Sequence, residues 1–65
     1  MSSQNMDKLK QYRLIQGYSQ SKLANKLGVT QQCYQYYECG KRDLPINVAK
    51  RIAEVFDVDW WKLYE

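Results

Sequence analysis

Residues 20–39 carry most of the information about the fold, and they read QSKLANKLGVTQQCYQYYEC. Apolar residues recur every three or four positions on both sides of Gly28, a pattern typical of two short amphipathic helices. Gly28 supplies the positive φ that a tight turn between them needs. Residues 28–30 are too few to let the two helices run antiparallel, so the helices are expected to cross steeply, with the small Ala24 at their closest approach.

Apolar spacing predicts further short helices on both sides of this pair. A first helix is expected from Met6 until Gly17, and a fourth from Pro45, whose missing N–H suits a first helical turn. The predicted apolar stripe of the first helix is Met6, Leu9, Tyr12 and Ile15. That of the fourth helix is Ile46, Ala49, Ile52, Ala53 and Phe56. A last helical turn or two follows Asp59, from Trp60 to Tyr64.

The helix ends and the missing strand pattern together predict the fold class. Ser19 and Thr30 precede the second and third helices, where their hydroxyls can cap free N–H groups, and Gly40 ends the third helix. No stretch shows the alternation of a half-buried strand. We therefore expect an all-α, compact five-helix domain over residues 6–65. Its helix-turn-helix occupies residues 20–39, and residues 1–5 form a flexible tail.

Composition excludes several classes of protein. The 65 residues are 45% hydrophobic and 26% charged, which is ordinary for a globular domain. Unbroken apolar runs, such as Leu14-Ile15, reach only two residues, so neither a membrane span nor a secretory signal is expected. The chain has no histidine, which removes the usual zinc sites and histidine-based catalysis. We expect that the protein is not an enzyme and that it binds no cofactor, metal or small-molecule ligand.

The two cysteines are not expected to form a disulfide. If Cys33 and Cys39 lie on one helix, their separation of six positions places their side chains about 240° apart around its axis. They are interpreted as small buried or half-buried side chains in a reducing compartment.

Charge is distributed unevenly along the chain. Residues 1–42 carry seven Lys or Arg against two Asp or Glu, whereas residues 43–65 carry three against five. A basic part joined to a mildly acidic part indicates a polyanionic partner on one side of the domain.

Two stretches resemble the Cro/C1-type helix-turn-helix family of phage and bacterial regulators. They are residues 18–32, YSQSKLANKLGVTQQ, and residues 38–42, ECGKR, which is similar to the Glu-Asn-Gly-Lys-Arg signature of that family. The similarity extends from Met6 to Tyr64, with Cys39 in place of the signature Asn and Leu44 in place of a proline. It implies a fold like that of the lambda repressor DNA-binding domain.

The resemblance implies that the second helix of the motif lies in the major groove of DNA. Gln31 and Gln32 at its start would then contact base edges, because a glutamine amide pairs a donor with an acceptor as adenine does. Gln35 and Tyr36 share that face, and for them base contact and an ordinary surface role both remain open.

Other positions similar to the family imply phosphate contacts and a structural ion pair. The implied phosphate-contacting residues are Gln20, Lys41, Arg42, Lys10 and Lys22. For Lys22, as for Lys26, an ordinary solvated charge is an equal alternative. Arg13 on the first helix and Glu38 at the end of the third are expected to pair and hold the recognition helix to the scaffold.

The functional hypothesis is a sequence-specific, double-stranded DNA-binding transcriptional regulator. It is expected to be a Cro-sized phage or mobile-element repressor that covers a palindromic operator in the bacterial cytoplasm or nucleoid. A homodimer, weak in solution, would form through Trp61 and Tyr64 facing outward, with Trp60 and Leu63 facing the core. For Trp61, burial in the core together with Trp60 is an equal alternative. The alternative is an antitoxin-like protein-interaction module that also binds its own promoter.

Overall fold

The computed structural model describes residues 6–64, which form four α-helices and a C-terminal 3₁₀ helix. The α-helices are α1 (Asp7–Ile15), α2 (Gln20–Leu27), α3 (Gln31–Cys39) and α4 (Ile46–Phe56), and the 3₁₀ helix is Trp60–Tyr64. The described part of the chain contains no strand, which confirms the all-α prediction. The count of five α-helices was wrong. The last element is a five-residue 3₁₀ helix, which begins with a bond from the Lys62 N–H to the Asp59 carbonyl, three residues back.

Side-chain caps begin α2 and α3 as predicted. The Ser19 hydroxyl accepts a hydrogen bond from the Lys22 N–H at 3.0 Å, and the Thr30 hydroxyl accepts one from the Cys33 N–H at 3.1 Å. Gly28 ends α2 with φ of 75°, in the left-handed region that favours glycine. Pro45 lies one position before α4 rather than in its first turn, as the N-cap residue.

The core receives side chains from all five elements. Those with no exposed surface are Leu9, Leu23, Tyr34, Ala49, Ile52 and Leu63. Ala24 is also buried, and its carbonyl accepts a hydrogen bond from the Val29 N–H at 3.1 Å across the turn between α2 and α3. This short turn positions the two helices that carry the candidate site.

Two predicted core residues are exposed instead. Ile15 is 78% exposed, because the six residues after Leu9 turn the helix by about 240° and carry Ile15 away from the buried face. Ile46 is 53% exposed, and Leu44 is buried at this end of α4 in its place. The chain thus enters the core before α4 begins.

Candidate nucleic-acid interface

One face of α3 is polar and open to solvent. Gln31, Gln32 and Gln35 are exposed on it, and Tyr36 beside them is half-buried. Tyr34 and Tyr37 occupy the opposite side of α3 and are buried in the core. The helix therefore presents a row of amide groups outward while two aromatic rings anchor it.

A chain of contacts joins Gln32 to the loop that follows α3. The Gln32 amide donates from Nε2 to the Tyr36 hydroxyl at 3.0 Å. The Lys41 ammonium lies over the ring of Tyr36, 5.4 Å from its centroid. Gln32, Tyr36 and Lys41 thus form one connected group at the surface.

Arg42 reaches back from the same loop to α3. Its Nη1 donates to the Cys33 sulfur at 3.6 Å, and its backbone N–H donates to the Tyr36 carbonyl at 3.2 Å. Arg42 lines an open groove together with side chains from the start of α3 and the turn before it, which are Thr30, Gln32, Cys33 and Tyr36. The loop therefore holds a guanidinium next to the amides of α3.

A buried carboxylate connects α3 to α1 and α2. Glu38 accepts hydrogen bonds from Arg13 Nε at 2.7 Å, Arg13 Nη2 at 3.2 Å, Gln20 Nε2 at 2.9 Å and the Tyr34 hydroxyl at 2.7 Å. The Arg13 and Glu38 side chains, which the resemblance pairs, are only 8% and 5% exposed. Arg13 also donates to the Tyr18 carbonyl at 2.8 Å. This network ties the exposed face of α3 to both preceding helices.

The network shifts the proton affinities of its members. Burial opposes the charge on Glu38, but hydrogen bonds from Arg13, Tyr34 and Gln20 outweigh it and lower its pKa. The hydrogen bond to Glu38 raises the pKa of Arg13 despite burial. Burial, followed by the hydrogen bond to Glu38, raises the pKa of Tyr34, so its hydroxyl keeps the proton that it donates.

The remaining predicted phosphate-contacting residues lie around α2 and α1. Gln20 directs an amide N–H at Glu38, so the same carboxylate orients its side chain. Lys10 borders an open depression with Gln20 and Gln35, and so lies on the same side of the molecule as both. Lys22 is exposed in the first turn of α2.

The burial of the C-terminal aromatic side chains differs in part from the prediction. Trp61 is 52% exposed and Leu63 is buried, as expected. Tyr64 is half-buried against the core rather than facing outward. Its hydroxyl donates to the Leu44 carbonyl at 2.6 Å, and its ring packs edge-on against Trp60 with the centroids 6.1 Å apart. Trp60 itself is half-buried. Trp61 is therefore the most exposed aromatic side chain at this end of the described chain.

Comparison with known proteins agrees with this geometry. A family model described as helix-turn-helix matches residues 9–60. The chain belongs to the Cro/C1-type helix-turn-helix family. It is similar to SinR, the master regulator for biofilm formation, in a crystal structure with DNA, with a TM-score of 0.78 and 34% identity over 89% of this chain and 94% of that chain. The N-terminal DNA-binding domain of SinR from Bacillus subtilis gives a TM-score of 0.77 and 34% identity over 89% of this chain and 86% of that chain.

Sequence relatives of the chain carry names of transcriptional regulators. The prophage-derived HTH-type regulator YonR of Bacillus subtilis is 35% identical over 80% of this chain and 48% of its own length. The HTH-type regulator MJ0272 of Methanocaldococcus jannaschii is 42% identical over 80% of this chain and 79% of its own length. A Pyrococcus abyssi protein named as an HTH-type transcriptional regulatory protein is 48% identical over 77% of this chain. The match spans only 16% of that relative.

Two contacts made by tyrosines of α3 were not predicted from the sequence. These are the bond from Tyr34 to Glu38 and the bond from Gln32 to Tyr36. Both join residues four positions apart on one helix, a spacing that could have suggested them. Cys39 was expected to be buried or half-buried, but it is exposed near the end of α3, where its side chain extends beyond the core. Both cysteines are free.

No group of three His, Cys, Asp or Glu side chains within residues 6–64 is placed to hold a metal ion. Over the same range, every helix is too short or too polar to cross a bilayer.

Acid should remove the stability that the Glu38 network contributes. Because the folded chain lowers the pKa of Glu38, the unfolded chain binds a proton more readily, and stability rises with pH in this range. The contribution is complete above the ordinary glutamate pKa of about 4.3 and is lost as pH falls through the lower folded value. An NMR titration of the Glu38 carboxyl should therefore show a midpoint below that of a free glutamate. A midpoint at or above the free value would contradict the network's effect.

Proposed function

We propose that this domain binds double-stranded DNA sequence-specifically and regulates transcription, with α3 lying in the major groove. The observation that carries the proposal is the exposed row of amides on α3, held by a buried network that joins α1, α2 and α3. A rigidly held helix with amide groups on its open face suits the reading of base edges. The similarity to SinR, whose structure was solved with DNA, supports the same function.

The proposed contacts divide between bases and phosphates. Gln31 and Gln32, at the start of α3, are the proposed base-contacting residues, and Gln35 follows one turn later on the same exposed face. Lys41 and Arg42 are the proposed phosphate contacts, because both cations border the same surface. Further phosphate contacts are proposed for residues at the start of α2 and on α1, namely Gln20, Lys22 and Lys10. For Lys22 a solvated charge remains the alternative.

Selection of bound duplexes from a random pool tests this function directly. Binding of α3 to base edges should enrich one short sequence over successive rounds, and footprinting should then show protection centred on it. Binding without enrichment of any sequence would contradict specific recognition and leave only an electrostatic affinity for DNA.

Replacing Arg42 with alanine should weaken binding to all DNA sequences alike. A lost phosphate contact releases one fewer counterion, so the slope of log affinity against log salt should fall by about one unit. Arg51→Ala, which removes an exposed arginine from α4, is the matched control and should leave the slope unchanged. Equal salt slopes for Arg42→Ala and the unmodified domain would mean that Arg42 makes no phosphate contact.

We further propose that two copies bind a palindromic operator through the surface around Trp61. A single recognition helix reads too few base pairs to compete against a genome, and two-fold symmetry doubles the sequence read, with half-sites about 10 base pairs apart. Trp61 is the half-exposed aromatic at the C-terminal end, and so small an interface predicts a dimer that forms mainly on DNA.

Trp61→Ala should lower affinity for the full palindrome and leave binding to an isolated half-site unchanged. The reason is that the substitution removes apolar surface from the proposed contact without touching the α3 face. Ile15→Ala trims another exposed apolar side chain and serves as the control. Protection of one half-site without dyad symmetry in a footprint would end the dimer model.

We propose that regulation works by operator occupancy, as in a phage or mobile-element repressor. The prophage-derived relative YonR supports that origin. Such a regulator would act at the nucleoid, in the cytoplasm. Because the family consists of transcriptional regulators, no enzymatic activity is proposed.

A further inference from the structure

Gln32 differs from the other glutamines of α3 in one respect. Of the three glutamines of α3, only Gln32 forms a side-chain hydrogen bond within residues 6–64. Its Nε2 donates to the Tyr36 hydroxyl at 3.0 Å. Gln31 and Gln35 are exposed without such a bond in the same range. The amide of Gln32 is therefore oriented before any DNA is present.

Tyr36 is itself held from two sides. The Lys41 ammonium lies 5.4 Å from the centroid of its ring, and its backbone carbonyl accepts the Arg42 N–H at 3.2 Å. Its side chain is half-buried, in contrast to the exposed glutamines. A phenol restrained in this way offers a fixed acceptor to the neighbouring amide.

We propose that Tyr36 is a positioning residue that fixes the amide of Gln32 for base reading. This inference rests on the proposed function. An amide nitrogen carries two hydrogens, so one N–H can bond to Tyr36 while the other stays beside the carbonyl oxygen. That remaining donor–acceptor edge complements N7 and N6 of adenine. Tyr36 thus acts through Gln32 and does not contact a base, and the base pair read by Gln32 is read more stringently than one read by an unrestrained glutamine.

Tyr36→Phe tests the inference, because it keeps the aromatic ring beneath Lys41 and removes only the hydroxyl. Gln32→Ala first identifies the base pair that Gln32 reads, as the position at which preference is lost. At that pair, Tyr36→Phe should reduce discrimination among the four base pairs by about 3- to 10-fold, the range of one net hydrogen bond. Discrimination at other positions and the salt slope should not change. Tyr12→Phe, on α1, is the matched control.

Combining the two substitutions separates positioning from direct contact. If Tyr36 acts only through Gln32, Tyr36→Phe has no further effect in the Gln32→Ala background. Equal losses in both backgrounds would mean that Tyr36 contacts DNA itself, and an unchanged preference in Tyr36→Phe would mean that it orients nothing. Either result overturns the inference while leaving specific binding intact. Absence of any sequence preference in the unmodified domain would instead refute the proposed function, and the inference with it.

Discussion

Replacing Arg13 with alanine should destabilise the domain by about 3–5 kcal/mol, the range for a buried carboxylate that loses its charged partner. Glu38 would keep the hydrogen bonds from Gln20 and Tyr34 but lose both bonds from the guanidinium. A domain of this size has a total stability of only about 3–10 kcal/mol. The loss is therefore a large part of the total, and the urea concentration at the unfolding midpoint, followed through tryptophan fluorescence, should fall sharply.

Arg51→Ala provides the comparison for this experiment. It deletes the same side chain from an exposed position on α4 and should change stability by no more than about 0.5 kcal/mol. If the two variants unfolded at the same urea concentration, the Arg13–Glu38 pair would contribute no more than a surface charge does. The predicted role of the pair in holding α3 to α1 would then be wrong.

Alanine at Gln31 or Gln32 should cost about 1–3 kcal/mol of binding free energy on the preferred DNA site, because each substitution removes the bidentate amide contact with a base that we propose. On random DNA the loss should be much smaller, since non-specific binding depends on phosphate contacts. Titrations of each variant with the selected duplex and with a scrambled duplex, at one salt concentration, give both values.

Gln11→Ala is the control for loss of an exposed glutamine, because Gln11 lies on α1 and is not a proposed DNA contact. It should bind both duplexes as the unmodified domain does. Equal losses on the selected and scrambled duplexes for Gln31→Ala and Gln32→Ala would show that these amides read no base. The specificity would then have to come from elsewhere on α3 or from DNA shape.

The positions of α2 and α3 could be predicted from short stretches of sequence because local groups establish them. Ser19 and Thr30 cap the helix starts with their own hydroxyls, and Gly28 and Gly40 take up the left-handed backbone at the ends. These interactions span only a few residues, so the residue types at the ends of each helix reveal them. The identity of the exposed face of α3 followed in the same way from helical spacing.

Two predictions failed where the outcome depended on tertiary packing rather than on helical spacing. Tyr64 was expected to face outward, yet its hydroxyl donates a hydrogen bond to the carbonyl of Leu44, twenty residues earlier in the chain. Ile46 was assigned to the core, but Leu44 is buried at that end of α4. The bond from Tyr64 to Leu44 leaves no periodic signal, because it joins the C-terminal 3₁₀ helix to the segment before α4.

The sequence alone therefore specified α2 and α3, their caps and the row of glutamines on α3, since all of these arise from interactions within a few residues. It also carried the family resemblance that paired Arg13 with Glu38. Tertiary packing determined which further groups bond to Glu38, because it brings the Gln20 amide and the Tyr34 hydroxyl to the same carboxylate. The physical reason is that a buried charge must be satisfied by groups from several helices, and their meeting depends on how those helices pack.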